Sequence, residues 1–395
     1  MRIVVLGYIV RGPLGGLAWH HLQYVLGLAR LGHDVRFIED SDDYPACYDP
    51  SRHVVDCDPS YGLRFAADAF SLIGLADRWA YHDAHTGRWL GAARDDGEEF
   101  CRSADMILNV SAVNPLRDWA LDVPLRLLID TDPVFTQVRH LTNDTARKRA
   151  LDHNAFFTFA ENVRNGSASL PDDGFHWRPT RQPVVLDAWP VVPAPIAAPY
   201  TTVMQWQSYP PVHHEGKRFG TKSTSFEPFA DLPGQAAVPL EIALGGADAP
   251  RAMLIEKGWR LQNPLDIART PGDFQEYVRA SRGELGVAKH GYVASNSGWF
   301  SERSAGYLAS GRPVITQETG FSEWLPLGSG LFSFRDSAEA LDALDRIELD
   351  YERQAAGARK IAEDHFEAGQ VLSSMLEEAS QTYSSGRQTR SHGPP

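Results

Sequence analysis

The chain has 395 residues, 43% of them hydrophobic, enough to fill two cores of ordinary domain size. Its net charge of −13 argues against a nucleic-acid partner, whose phosphates demand basic patches, and no apolar run approaches the ~18–20 residues that span a bilayer. Cys47, Cys57 and Cys101 lack metal-ligand spacing, and the opening residues are too short for a signal peptide, so reduced thiols in a cytoplasmic protein are expected.

Residues 2–6 are a continuous apolar run, the pattern of a parallel strand buried on both faces. The loop Arg11-Gly-Pro-Leu-Gly-Gly16 follows, then a helix to about Leu31, ended by Gly32. Residues 35–38 form the next strand, closed by Glu39 and Asp40, completing a βαβ unit. On the helix, Ala18, Leu22, Val25, Leu26 and Ala29 share one face, with His20 nearly opposite and His21 at the edge. A histidine turned outward in a first helical turn can face a cleft and accept a proton; a solvated surface histidine is the competing reading. Residues 48–99 are irregular, rich in acids and aromatics, and predict no regular elements.

Further strands are predicted at 106–110, 125–129 and 156–159. Asp130 and Asp132 lie in a DxD triplet at the end of one of them, either as turn formers or as candidate bases; Glu161 and Asn162 close another. Prolines at 179, 183, 190, 193, 195 and 199 then mark an extended connector. Strands at 203–206, 240–244 and 313–316 open a second α/β region, and a helical pattern runs from Ser337 to about Glu378. The polar residues from 384 onward are expected to be disordered.

The stretch from Ser297 to Ile315 carries the most information. Ser301 can cap a helix with Glu302 and Arg303 in its first turn, Gly311 stops it, and a strand follows. A helix start offers free N–H groups, and Arg303 adds a fixed, forked cation, together a seat for a diphosphate. Lys222, on a Gly/Ser/Thr loop, and Lys289 could supplement it; Trp206 and Trp299 could stack on a base or sugar ring, or lie in the core.

The run from Arg303 to Gly311, followed by Arg-Pro-Val-Ile, resembles the donor-binding helix of GT-B fold glycosyltransferases. The segment from Thr316 to Trp324 is similar to the Gly-containing loop those enzymes carry near the donor sugar. The resemblance implies two Rossmann-like domains facing a cleft, spanning 1–190 (acceptor side) and 191–383 (nucleotide-sugar side), with a last helix packing back on the first and a tail at 384–395. It implies a metal-independent glycosyltransferase without cofactor, taking a nucleotide-sugar donor and a small-molecule or glycan acceptor. The donor would meet Trp206, Lys222, Ser297, Gly298, Trp299, Ser301, Arg303, Ser304, Glu318, Gly320 and Phe321, with Glu302 turned off the cleft. The acceptor would meet Gly15, Gly16, Glu161 and Asn162, and His20, Asp130 and Asp132 are the candidate catalytic groups. The glutamate pair of the retaining members is absent, Gly298 and Gly306 standing in its place. A non-catalytic sugar-nucleotide or polysaccharide binder is therefore an alternative. A nicotinamide oxidoreductase with Glu39 on the ribose is another, although Gly-x-x-Gly-Gly departs from the dinucleotide fingerprint.

Overall fold

The computed structural model describes the backbone of residues 1–391 and the side chains of residues 1–381. The first domain is built on an eight-stranded sheet. Its order is Trp177–Pro179, Ala155–Thr158, Leu125–Asp130, Met106–Val110, Arg2–Leu6, Asp34–Asp40, Trp79–Asp83 and Arg88–Leu90, all parallel except the last pair. A second, six-stranded parallel sheet runs Arg260–Gln262, Leu240–Gly245, Tyr200–Gln205, Gly283–Gly286, Val314–Gln317 and Leu331–Phe334. The central strands are buried along their length, which is why they read as unbroken apolar runs.

Residues 48–99 are more regular than their composition predicts. They hold the helix Ser60–Leu72, whose Phe65, Ala66, Ala69 and Phe70 are buried at helical spacing, and the last two strands at one end of the sheet. The strands are short and end in an antiparallel hairpin, so no long period announces them.

The helix Gly15–Arg30 departs most from its sequence pattern. It has no solvent face over most of its length, because Trp19, His20, His21, Gln23 and Tyr24 are buried along with the apolar positions. One side lies on the first sheet and the other meets the second domain. Gly15 N–H donates to the Ala268 carbonyl at 3.2 Å, and a Cβ on Gly15 would lie 2.1 Å from the Thr270 oxygen. Trp19 Nε1 donates to the Pro271 carbonyl at 2.9 Å, and Trp19, Trp189 and Phe274 pack in series across the interface.

The chain leaves the first sheet at Pro179 and enters the second at Tyr200. It returns near residue 366, where Val184 N–H donates to Phe366 O and Ala368 N–H to Val184 O. The final helix Ala368–Ser391 then lies on the first helix, with Leu372 against Gly27. It takes in part of the stretch expected as a tail from residue 384; residues 392–395 lie outside the described residues.

The Gly-rich loop is held by Glu39. Its carboxylate accepts from the backbone N–H groups of Ile9, Val10 and Arg11 at 2.6, 2.7 and 2.7 Å and pairs with Arg11 Nε at 3.3 Å. Glu39 is fully buried and every contact is internal, which removes it as a ribose acceptor and with it the nicotinamide reading. Glu39→Gln leaves the buried Arg11 without its counter-ion, so a loss of about 3–5 kcal/mol is expected. The thermal midpoint should then fall by roughly 4–6 °C for a chain of this length; an unchanged midpoint would mean the loop is held by its other contacts.

Candidate active site

Between the domains runs a cleft of two lobes, about 410 and 480 Å³, which share Tyr8, Leu17, His20, Glu302 and Arg303 among their walls. It opens where strands of both sheets end and helices begin, the usual position for ligands in doubly wound sheets.

Arg303 lies in the first turn of the helix Glu302–Ala309, whose cap Ser301 accepts from Arg303 N–H at 3.2 Å. Its Nε donates to Glu284 Oε1 at 2.5 Å and Nη1 to the Val203 carbonyl at 2.9 Å. Burial pulls the guanidinium down; the Glu284 charge and hydrogen bond more than offset this and hold it above its ordinary range. Glu284 is 0% exposed and its Oε2 has no partner, so the pair is a buried charge system open on one side.

Lys222 stands in the same lobe, 9% exposed, and has neither a hydrogen bond nor an ion pair among the described residues. Burial, and next the Arg303 charge, hold its amine well below the ordinary lysine range. An unpaired, nearly buried cation is costly unless a ligand supplies the anion. Glu302 borders both lobes and is exposed to them, contrary to the expectation that it turns away. The first turn of a helix fans its side chains around the end, so neighbours Glu302 and Arg303 both reach the cleft.

His20 borders both lobes and is 8% exposed. It is no surface histidine, because Tyr24 and Phe159 meet its ring edge-on and cover the face that the helical wheel leaves bare. Nε2 meets Ser111 Oγ at 3.3 Å, and Ser111 in turn meets Thr131 Oγ1 at 2.8 Å. Nδ1 is sealed off without a partner, so a proton exchanged with the cleft passes through Nε2. Burial lowers the His20 pKa, with the Glu302 charge opposing, and the imidazole is neutral.

The two aspartates of the DxD triplet separate. Asp130 is buried away from the cleft, accepting from Gln137 Nε2 at 3.0 Å, Thr158 Oγ1 at 2.8 Å and Asp132 N–H at 2.9 Å, so it forms the turn and leaves the catalytic list. Asp132 borders the second lobe and accepts from Lys289 Nζ at 2.8 Å, Tyr209 OH at 2.6 Å and Tyr292 OH. Burial pushes its carboxyl up, and Lys289 and the two phenols bring it below its usual range. It therefore clasps the domains together. Among the described residues no three His, Cys, Asp or Glu side chains gather as metal ligands.

Several expected positions are structural. Gly15 is a close-approach point for the second domain's backbone, and Gly16 faces the Phe274 ring at the edge of the first lobe. Glu161 pairs with Arg181 at 2.8 Å beside a separate pocket. Asn162 Nδ2 donates to the Asn296 and Gly320 carbonyls at 3.0 and 3.1 Å, and Gly298 has φ +76° against it, so Asn162, Gly298 and Gly320 are an interdomain seam. Ser297, Ser304 and Phe321 are fully buried, and Trp206 packs on Phe226 in the second core. Glu318 accepts from Gly320 N–H at 2.7 Å, shaping its own loop. Trp299 does line the second lobe, stacked on Tyr292 at 4.2 Å with Nε1 donating to Thr131 O at 3.2 Å. Tyr8, Gln205, Ser208 and Ser111 were not expected; Gln205 is the last residue of its strand and the others come from loops just beyond strand ends, which have no periodic signature.

No protein-family model matches the chain, and no curated protein is significantly similar to it. Solved structures are similar over nearly the whole length. Sucrose-phosphate synthase from Thermosynechococcus elongatus aligns with a TM-score of 0.51 at 13% identity, covering 98% of this chain and 100% of that one. An alpha-glucosyltransferase in complex with UDP-glucose and DNA containing an abasic site aligns with a TM-score of 0.57 at 9% identity, covering 96% and 99%. HepE of Anabaena in complex with UDP gives 0.52 at 12%, covering 96% and 100%. The chain has the GT-B fold. In GT-B terms the first sheet and second sheet are its two Rossmann-like halves, and the lobes above are its interdomain cleft.

Proposed function

We propose that the chain transfers a sugar from a nucleoside diphosphate sugar to an acceptor hydroxyl without a metal ion at the diphosphate. The observation that carries this is Lys222, nearly buried and unpaired, in one lobe with Arg303 at a helix start. A diphosphate entering there supplies the anion that Lys222 lacks and that Glu284 only half supplies to Arg303. As the donor bond breaks, charge grows on the leaving diphosphate, and the Arg303 guanidinium, joined by a Lys222 amine that the entering anion holds protonated, favours the transition state over the ground state. Across the cleft, neutral His20 can take the acceptor proton through Nε2, with Ser111 and Thr131 fixing its hydrogen bonding. The interdomain contacts exclude water that would otherwise hydrolyse the donor.

UDP and UDP-glucose accompany the similar solved glycosyltransferases, so UDP is the first nucleotide to test. Lys222→Ala should weaken UDP binding roughly 10- to 150-fold, the equivalent of about 1.5–3 kcal/mol for a hydrogen bond to a charged group. Uridine, lacking phosphates, should bind almost equally to both forms, and transfer should persist in EDTA. Calorimetry that finds equal losses for UDP and uridine, or none, would place the diphosphate elsewhere; activity lost to EDTA and restored by Mn²⁺ would end the metal-free reading.

A further inference from the structure

A third cavity, of about 500 Å³, lies within the first domain and adjoins the second lobe, sharing Val113, Thr136 and Arg139 with it. Its walls come from the helices Phe135–Thr142 and Asp144–Leu151 and from the loops that follow strands Asp34–Asp40 and Met106–Val110.

Two arrangements inside it are built rather than incidental, and a third residue stands unpaired at its mouth. His140 Nδ1 meets Asp173 Oδ2 at 2.7 Å, and Asp173 is itself fixed by Trp177 Nε1 at 3.0 Å. An ionised carboxylate only accepts, so Nδ1 carries a proton and Nε2 is left for another partner. His140 is 4% exposed, lines the cavity, and its Nε2 has no protein partner. Arg149 forms two hydrogen bonds of 2.7 Å to the two oxygens of Asp42, so its charge is spent within the protein. Arg139, by contrast, is exposed at the junction with the cleft and makes no side-chain hydrogen bond or ion pair among the described residues.

The backbone around this cavity is strained. Asp42 and Ala112, in the cavity wall, have φ of 61° and 54°, and Ser111, in the wall of the adjoining lobe, has 64°; each follows the carboxyl end of a strand. Left-handed backbone is uncommon in non-glycine residues and gathers at functional sites.

We propose that this cavity receives the acceptor and that the acceptor is a hydroxylated small molecule bearing a carboxylate or a phosphate. A hydroxyl pairs with His140 Nε2, and the oxyanion is held by Arg139 at the mouth, which leaves another hydroxyl of the same molecule directed to the lobe of His20. The identity of the ligand as acceptor rests on the transferase reading above; the binding preference does not.

The test is calorimetry on the full chain with glucose, glucuronate and glucose 6-phosphate, with and without saturating UDP. Both acids should bind at least tenfold more tightly than glucose, and whichever is tighter tells carboxylate from phosphate. Arg139→Gln should reduce the affinity for the acids by tenfold or more while leaving UDP and glucose binding unchanged; the residue is exposed, so folding is unaffected. Equal affinity for all three sugars, or an acid preference that survives Arg139→Gln, overturns the proposal. So does a preference abolished by Lys222→Ala instead, since the anion would then occupy the donor lobe. If UDP fails to bind but the acid preference stands and needs Arg139, the donor assignment falls and this one holds.

Discussion

Replacing His20 with alanine is expected to lower kcat by about 10²–10⁴-fold, the contribution of a positioned general base, while UDP affinity stays nearly intact. Steady-state kinetics beside UDP calorimetry separate the two effects, and near-normal turnover would hand the proton to Glu302 or to the substrate itself. The pH profile is a second check. Burial holds the folded His20 pKa below its ordinary 6.5, so the reactive neutral form persists under mildly acidic conditions. The limb of kcat/KM that reports this group should therefore fall only below about pH 6.5, and His20→Gln should remove it. Stability moves in the same direction: beneath 6.5 the unfolded chain binds a proton at His20 that the folded chain does not, so stability declines as the pH drops through that window.

The second large effect concerns Arg303 and is compound. Arg303→Ala removes a cation from the proposed diphosphate seat, with an expected loss of roughly 10- to 150-fold in UDP affinity. It also strands Glu284, whose carboxylate is fully buried and relies on Arg303, at a cost of about 3–5 kcal/mol. A bare alanine variant therefore conflates binding with folding. Arg303→Ala combined with Glu284→Gln should regain most of the thermal stability while UDP binding stays weak. Recovery of both would mean that Arg303 does no more than neutralise Glu284.

The architecture was legible because buried parallel strands are continuous apolar runs: residues 106–110 match the strand Met106–Val110, and Ser301 caps the helix that its side chain suggests. Lys222 and Arg303 were legible as cations beside glycines and hydroxyls, and the fold brings them to one lobe. What the sequence conceals is the identity of each neighbour. A glycine such as Gly15 announces that something comes close, and the Thr270 backbone, from the other domain, meets that description as well as a phosphate does. The wheel of the first helix shows the face turned to its own sheet, while the second face is defined by residues some 250 positions away, as the bond from Trp19 to Pro271 shows. Aromatics divide in the same way: Trp299 reaches the cleft and Trp206 and Phe321 do not, a difference in how the connecting segments direct them that composition does not show.

The contact of Gly15 with Ala268 and Thr270 is backbone against backbone at the limit of approach, and the first helix is held there by the sheet beneath and the final helix beside it. Such a joint cannot slide without collision, but it can turn. The opposite side is joined by the Asp132 to Lys289 pair and the Trp299 bond to the Thr131 carbonyl, and by backbone bonds from Asn162 N–H to Ser297 O at 3.2 Å and from Ser169 N–H to Ser295 O at 2.7 Å. Gly15 is thus a fixed point on one side of the cleft, with the Asp132 clasp and the Asn162 seam on the other. A bulkier residue at Gly15 would force the domains apart and open the cleft to water without touching Lys222 or Arg303.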